Sequence, residues 1–181
     1  MTRIVSFIAG PSAGKSTLAG ELFGWMKRQR YNVEYVQEFA KDLTWRDAHD
    51  SLDDQLYVLG EQHHRIYTLI NKVDWIITDS PLVIQLEYID RAFSKYKDYD
   101  ALEDVKYGLI NIINYISRIH DQELFFVDRG DRKFVQEGRN QTEEESKQID
   151  KNLLNLLDKY AYPYKIIKSL EDVLKELELE K

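Results

Sequence analysis

Ala9-Gly10-Pro11-Ser12-Ala13-Gly14-Lys15-Ser16-Thr17 decides how this chain is read. A short apolar run, Ile4-Val5-Ser6-Phe7-Ile8, precedes it, and an amphipathic helical pattern from about Lys15 to Arg30 follows. A strand, a turn of small residues and Gly-Lys-Ser at the start of a helix form the pattern of a phosphate-binding loop. Small residues let the backbone wrap an anion, so that successive N–H groups point inward, and the helix N-terminus adds unpaired N–H groups and the positive end of its dipole. Gly10, Pro11, Ser12, Ala13 and Gly14 are expected to form the cradle, with Lys15, Ser16 and Thr17 opening the helix. In this reading Lys15 reaches the outer phosphates of ATP, and the Ser16 hydroxyl takes one position on Mg²⁺, a hard cation that prefers oxygen. The pattern G-x-x-x-x-G-K-[ST] is met except at its first position, where Ala9 stands for Gly. Ala there implies that a positive φ is not required.

Periodicity outward from the loop alternates strand and helix. Strands are expected over about Arg3–Ala9, Asn32–Gln37, Asp74–Thr78, Glu123–Val127 and Tyr164–Lys168. Between them, Ser51 is expected to cap a long helix reaching about Lys72, with Leu52, Leu56, Leu59, His63, Ile66 and Ile70 on its inner stripe. Helices are also expected over Val83–Phe93 and, after a polar stretch at Ser94–Asp98, over Asp100–His120, with Leu102, Val105, Leu109, Ile112, Ile113 and Ile116 inward. Thr142-Glu143-Glu144-Glu145 is a capping box, and Ser169 caps a last helix. Five strands joined by helical crossovers predict an α/β, doubly wound parallel sheet in one domain spanning residues 1–181. Ligands of such sheets sit beyond the carboxyl ends of the strands.

Those ends hold the chemistry. Asp79 follows the apolar run Trp75-Ile76-Ile77-Thr78, where a carboxylate either helps to hold Mg²⁺ or accepts a proton; otherwise it caps the turn before Pro81. Glu38 ends the second strand, as a base or orienter for an acceptor hydroxyl or as a surface glutamate opening a loop. Asp42 and Arg46 are close enough in sequence to share that acceptor pocket. The segment Asp128–Gln141 places Arg129, Arg132, Lys133 and Arg139 in a short loop with Gly130 and Gly138 as hinges. It reads as a lid over about 129–141 whose arginines neutralise a transferring phosphoryl, or as a solvated basic loop. His63 and His64 are adjacent on a helix, point in different directions and do not form a chelate.

With 181 residues, no cysteine and a net charge of −7, the chain has no thiol chemistry, and broad binding of nucleic acid is not favoured. No apolar run approaches the length of a membrane span and the first strand begins almost at once, so a cytoplasmic location is expected.

The segments A-G-P-S-A-G-K-S-T, V-Q-E-F-A-K-D, I-T-D-S-P-L and G-R-N-Q-T-E-E-E together resemble the nucleoside/nucleotide-kinase branch of phosphate-loop proteins. They resemble most the small ATP-binding kinases related to nicotinamide riboside kinase, including those of bacterial viruses. The resemblance implies a three-layer P-loop NTPase fold, ATP and Mg²⁺, an arginine lid, and a small-molecule acceptor. By position it implies Lys15 and Ser16 for phosphate and metal, Glu38 on the acceptor side, Asp79 at the end of the third strand, and Arg129, Arg132 and Arg139 in the lid. No Arg directly follows Asp79, where deoxynucleoside kinases carry one. Two other readings stay open: a kinase of a hydroxymethylated base in DNA, and a nucleotide switch that hydrolyses ATP and signals to a partner.

Overall fold

Apolar strands buried on both faces organise the molecule. The computed structural model describes residues 1–93, 99–137 and 140–179. Strand β1 (Arg3–Ile8) lies at the centre of a five-stranded sheet with β3 (Trp75–Thr78) on one side and β4 (Gln122–Val127) on the other. β2 (Val33–Val36) and β5 (Lys165–Ile167) form the edges, in the order β2-β3-β1-β4-β5, and every pairing is parallel. Ile76 and Ile77 point to opposite faces of the sheet and both are 0% exposed, so both faces are covered. The register sets Ser6 beside Thr78, and Thr78 beside Val36. The carboxyl ends of β1, β2 and β3 therefore share one rim.

Helix α1 (Lys15–Arg28) buries Leu18, Ala19, Leu22 and Met26 along one side. After β2 the chain forms α2 (Phe39–Trp45), α3 (His49–Asp53) and α4 (Gln55–Tyr67). The long helix expected from Ser51 is thus two helices broken at Asp54, whose carboxylate accepts the Tyr57 N–H and caps α4. An aspartate outcompetes the upstream serine because its side chain meets a free N–H of the first turn. The inner face of α4 is Val58, Leu59, Gln62 and Ile66, while Leu56 is exposed. Leu52 belongs to α3.

A 3₁₀ turn at Leu82–Ile84 leads into α5 (Gln85–Phe93) and then α6 (Tyr99–Ile119); the polar stretch Ser94–Asp98 lies outside the described residues. Leu109, Ile110 and Ile113 carry the burial of α6, and Val105 and Ile112, expected inward, face outward at 43% and 47% exposure. Leu109 and Ile113 keep their expected inward places, and Ile110 takes the inward position that Val105 and Ile112 do not. Helix α7 (Glu143–Lys159) opens with the expected capping box between Thr142 and Glu145, and α8 (Leu170–Glu176) with a second between Ser169 and Asp172. Among the described residues no helix is long and apolar enough to cross a membrane.

Phe125 in β4 is 0% exposed and packs its ring 5.9 Å from that of Phe7 in β1. Phe125→Ala is expected to lower stability by about 3–5 kcal/mol, because the central sheet cannot collapse into the cavity left behind. A urea titration checks this, with the midpoint falling and the slope unchanged.

Candidate functional site

The loop after β1 carries its sharpest backbone demands at Ser12 (φ 62°) and Gly14 (φ 102°), and φ is not positive at Ala9. Gly14 stands at the N-cap of α1 with no side-chain cap, and the first turn of α1 holds no acidic residue. The N–H groups and the positive helix end are therefore left for an anion. Lys15 is buried, and its Nζ donates to the Gly10 carbonyl at 3.1 Å, which lays the ammonium along the loop.

At the shared rim, Asp79 is 2% exposed and both of its oxygens are engaged. The Ser16 hydroxyl donates to Oδ2 at 2.5 Å, and the Glu38 N–H donates to Oδ1 at 3.1 Å. One buried carboxylate thus ties the end of β3 to the start of α1 and the start of α2. The Tyr35 phenol of β2 lies against the same group. Burial, and then the charge of Asp79, push its pKa far up, so it stays a neutral O–H. Glu38 is the N-cap residue of α2, with Phe39 donating its N–H to Gln62 Oε1 at 2.9 Å. Ser16, Asp79 and Glu38, far apart in sequence, meet at one point as the strand ends require.

The basic segment lies close against the loop. Arg129 donates from Nε and Nη2 to Asp150 Oδ2 at 3.0 and 2.7 Å, from Nη2 to Ser146 Oγ at 2.6 Å, and from Nη1 to the Pro11 carbonyl at 3.1 Å. Asp150 Oδ1 in turn accepts the Gly10 N–H at 2.5 Å, and the Ser146 hydroxyl donates to the Pro11 carbonyl at 2.5 Å. Arg132 donates to the main-chain carbonyls of Asp128 and Lys168 at 2.9 and 2.8 Å, and its Nε comes within 2.9 Å of where a Cβ on Gly14 would stand. Both arginines brace the loop from outside. Ser12 Oγ accepts the Val135 N–H at 2.9 Å, a further tie between loop and segment. Arg139 and Gly138 lie outside the described residues.

Asp150 and Ser146 were not read from the sequence. The readable signal is Ser146 itself, a polar residue in the otherwise apolar buried stripe Ser146, Ile149, Leu153, Leu157 of α7.

A cavity of about 670 Å³ opens on this rim. The phosphate loop from Pro11 to Thr17 forms one end, and Asn140 and Gln141 lie beside it. The other end is walled by α2 to α5, through Lys41, Thr44, His49, Gln55, Gln85 and Tyr88, and Glu38 stands in the wall as well. Asp42 and Arg46, expected here, line neither end: Asp42 pairs with Arg65 at 3.1 Å and Arg46 is exposed. A second hollow is bounded by Arg132, Lys168, one side of α1 from Thr17 to Arg28, and the first turn of α8. His63 and His64 take no part in a metal cluster, and among the described residues no group of three metal-ligating side chains occurs.

Residues 4–173 match the family model described as an AAA domain, and the chain belongs to that family. No curated protein sequence matches it. Among solved structures, deoxyadenosine kinase from M. mycoides with bound dATP is similar over 97% of this chain and 99% of that one, with a TM-score of 0.60 and 16% identity. The same enzyme with bound dCTP gives a TM-score of 0.63 at 15% identity, covering 97% of this chain and 98% of that one. At such identities the likeness speaks for the fold: a five-stranded parallel P-loop sheet of the nucleoside-kinase type.

A Cβ on Gly10 would stand 2.4 Å from the Ser146 carbonyl and 3.0 Å from Asp150 Oδ1. Gly10→Ala is therefore expected to push α7 off the loop, lowering stability by about 1–3 kcal/mol. Thermal unfolding reads the loss, and calorimetric titration with a nucleoside triphosphate reads a weakening of about tenfold or more.

Proposed function

We propose that this chain is an ATP-dependent phosphotransferase that moves the γ-phosphoryl of ATP to a hydroxyl or phosphate of a nucleoside, nucleotide or related small molecule. The observation that carries this reading is a cavity that extends beyond the phosphate loop to α2, α3, α4 and α5, with Glu38 in its wall. A switch or simple ATPase needs no such space beyond the loop. The fold neighbours support the acceptor class, since deoxyadenosine kinase has been seen with dATP, dCTP and the products dCMP and dCDP.

Within this reading the loop N–H groups and Lys15 hold the triphosphate and orient its outer phosphates. The Ser16 hydroxyl and the Asp79 carboxylate, 2.5 Å apart, form an all-oxygen pair that suits a hard cation, so Ser16 and Asp79 are the residues to hold Mg²⁺. When bound, the ion screens the charge of the phosphates. Asp79 is buried with both oxygens engaged, whereas Glu38 lines the cavity. Glu38 therefore takes the proton of the acceptor hydroxyl, and Asp79 fixes the backbone from which Glu38 projects. Arg129 and Arg132 hold the loop in shape; to reach a transferring phosphoryl they would have to exchange their carboxylate and carbonyl partners for phosphate oxygens.

Lys15→Ala is expected to abolish transfer of label from γ-labelled ATP across a panel of nucleosides, nucleotides and nicotinamide riboside, with the circular dichroism spectrum unchanged. Full activity in that variant removes the mechanism. Glu38→Gln is expected to cut kcat by about 10²–10⁴ with a smaller effect on the KM for ATP, as loss of a general base does. ADP and phosphate formed at the same rate with and without every acceptor would favour the switch.

A further inference from the structure

Gly10 is held at both ends of its backbone. Its N–H donates to Asp150 Oδ1 at 2.5 Å, and its carbonyl accepts from Lys15 Nζ at 3.1 Å. The first bond comes from α7, and the second holds the cation of the phosphate loop. Asp150 therefore grips the residue whose other end fixes Lys15. Pro11 follows and has no N–H to offer. Its carbonyl accepts from Ser146 Oγ at 2.5 Å and from Arg129 Nη1 at 3.1 Å. Gly10 and Pro11 thus turn polar groups toward α7, and the anion-binding part of the loop begins beyond them.

Charge alone gives this arrangement no purpose. A carboxylate beside a loop that takes phosphates repels them. The fold nevertheless fixes Asp150 firmly. Its Oδ2 accepts from Nε and Nη2 of Arg129 at 3.0 and 2.7 Å, and all three side-chain nitrogens of Arg129 are engaged with Asp150, Ser146 or Pro11. If Arg129 left for a phosphoryl, it would strand a carboxylate that is largely shut from solvent. The helix beneath is a rigid base. Ile149, Leu153 and Leu157 are buried, and Asn152 Nδ2 donates to the buried Glu87 of α5 at 2.9 Å.

We infer that Asp150 is a positioning residue for the phosphate loop. Its carboxylate, locked by Arg129, orients Gly10 so that the carbonyl of that residue lays Lys15 along the loop. Arg129 serves this lock and not the transferring phosphoryl. The inference rests on the nucleotide-binding part of the reading above and not on transfer. Charge and position have opposite signs here. Removing a negative charge beside bound phosphates tightens binding, whereas removing the group that orients the loop loosens it.

Calorimetric titration with ADP, on the wild-type chain and its variants, tests this. Asp150→Ala is expected to bind ADP about tenfold more weakly or worse, the size of a lost hydrogen bond to a charged group. Asp150→Asn loses the same charge but keeps an oxygen for the Gly10 N–H. It is expected to fall between wild type and Asp150→Ala, and it carries the comparison if Asp150→Ala does not fold. Arg129→Ala joined to Asp150→Ala is expected to lose no more than about threefold beyond either change alone, because the two side chains act as one unit. In transfer assays the loss falls on the KM for ATP, with kcat at saturating ATP reduced by less than about threefold. ADP bound by Asp150→Ala or Asp150→Asn as tightly as by wild type, or more tightly, overturns the inference. So does a loss confined to kcat in Arg129→Ala, which would return that arginine to the phosphoryl. Absence of transfer to any acceptor removes the kinase reading alone, since the ADP comparison stands without it. Absence of ADP binding by the wild-type chain removes both.

Discussion

The site depends on one buried carboxylate. Asp79 accepts from the Ser16 hydroxyl through one oxygen and from the Glu38 N–H through the other, with the Tyr35 phenol against it. A buried charge is tolerated only when hydrogen bonds replace water, so the three donors and the carboxylate require one another. The consequence is geometric. The phosphate loop at the start of α1 and Glu38 at the start of α2 belong to different crossovers, and Asp79 at the end of β3 sets the distance between them. Strand register keeps that point in place, since Ser6, Thr78 and Val36 stand level in the sheet.

A second constraint is electrostatic. Asp150 donates no hydrogen bond but brings negative charge within 2.5 Å of the main chain of a loop that must welcome phosphate. Arg129 answers it with a paired contact from a side chain only 10% exposed. The pair is short and largely desolvated, so removing either partner leaves an uncompensated charge beside the loop. With Arg132 clasping the Asp128 and Lys168 carbonyls, the loop is braced on its outer side as well. Less ordering is then left for binding to bring about.

Much of this was legible in the sequence because it rests on local chemistry. The strand–loop–helix pattern, the parallel order implied by crossovers, Asp79 and Glu38 at strand ends, and the capping box at Thr142 each follow from residues near one another in the chain. What escaped depends on contacts between distant segments. The break at Asp54 turns on which of two polar residues meets a free N–H, and the outward turn of Val105 and Ile112 on how α6 settles against its neighbours. Asp150 and Ser146 sit in a helix that no motif marks, and they acquire meaning only because α7 lies against the loop. The arginines read as mobile lid groups are held by a carboxylate and carbonyls that periodicity does not reveal.

The close approach of α7 also explains the departure from the usual loop pattern. A side chain is accommodated at Ala9, fully buried and without a positive φ, whereas at Gly10 the Ser146 carbonyl leaves no room for one. The demand for glycine has moved one residue along the chain, from the turn itself to the point where a neighbouring helix presses on it. Relatives that keep this helix contact would be recognised by a small residue followed by glycine, and a search insisting on glycine at the first position would pass them by.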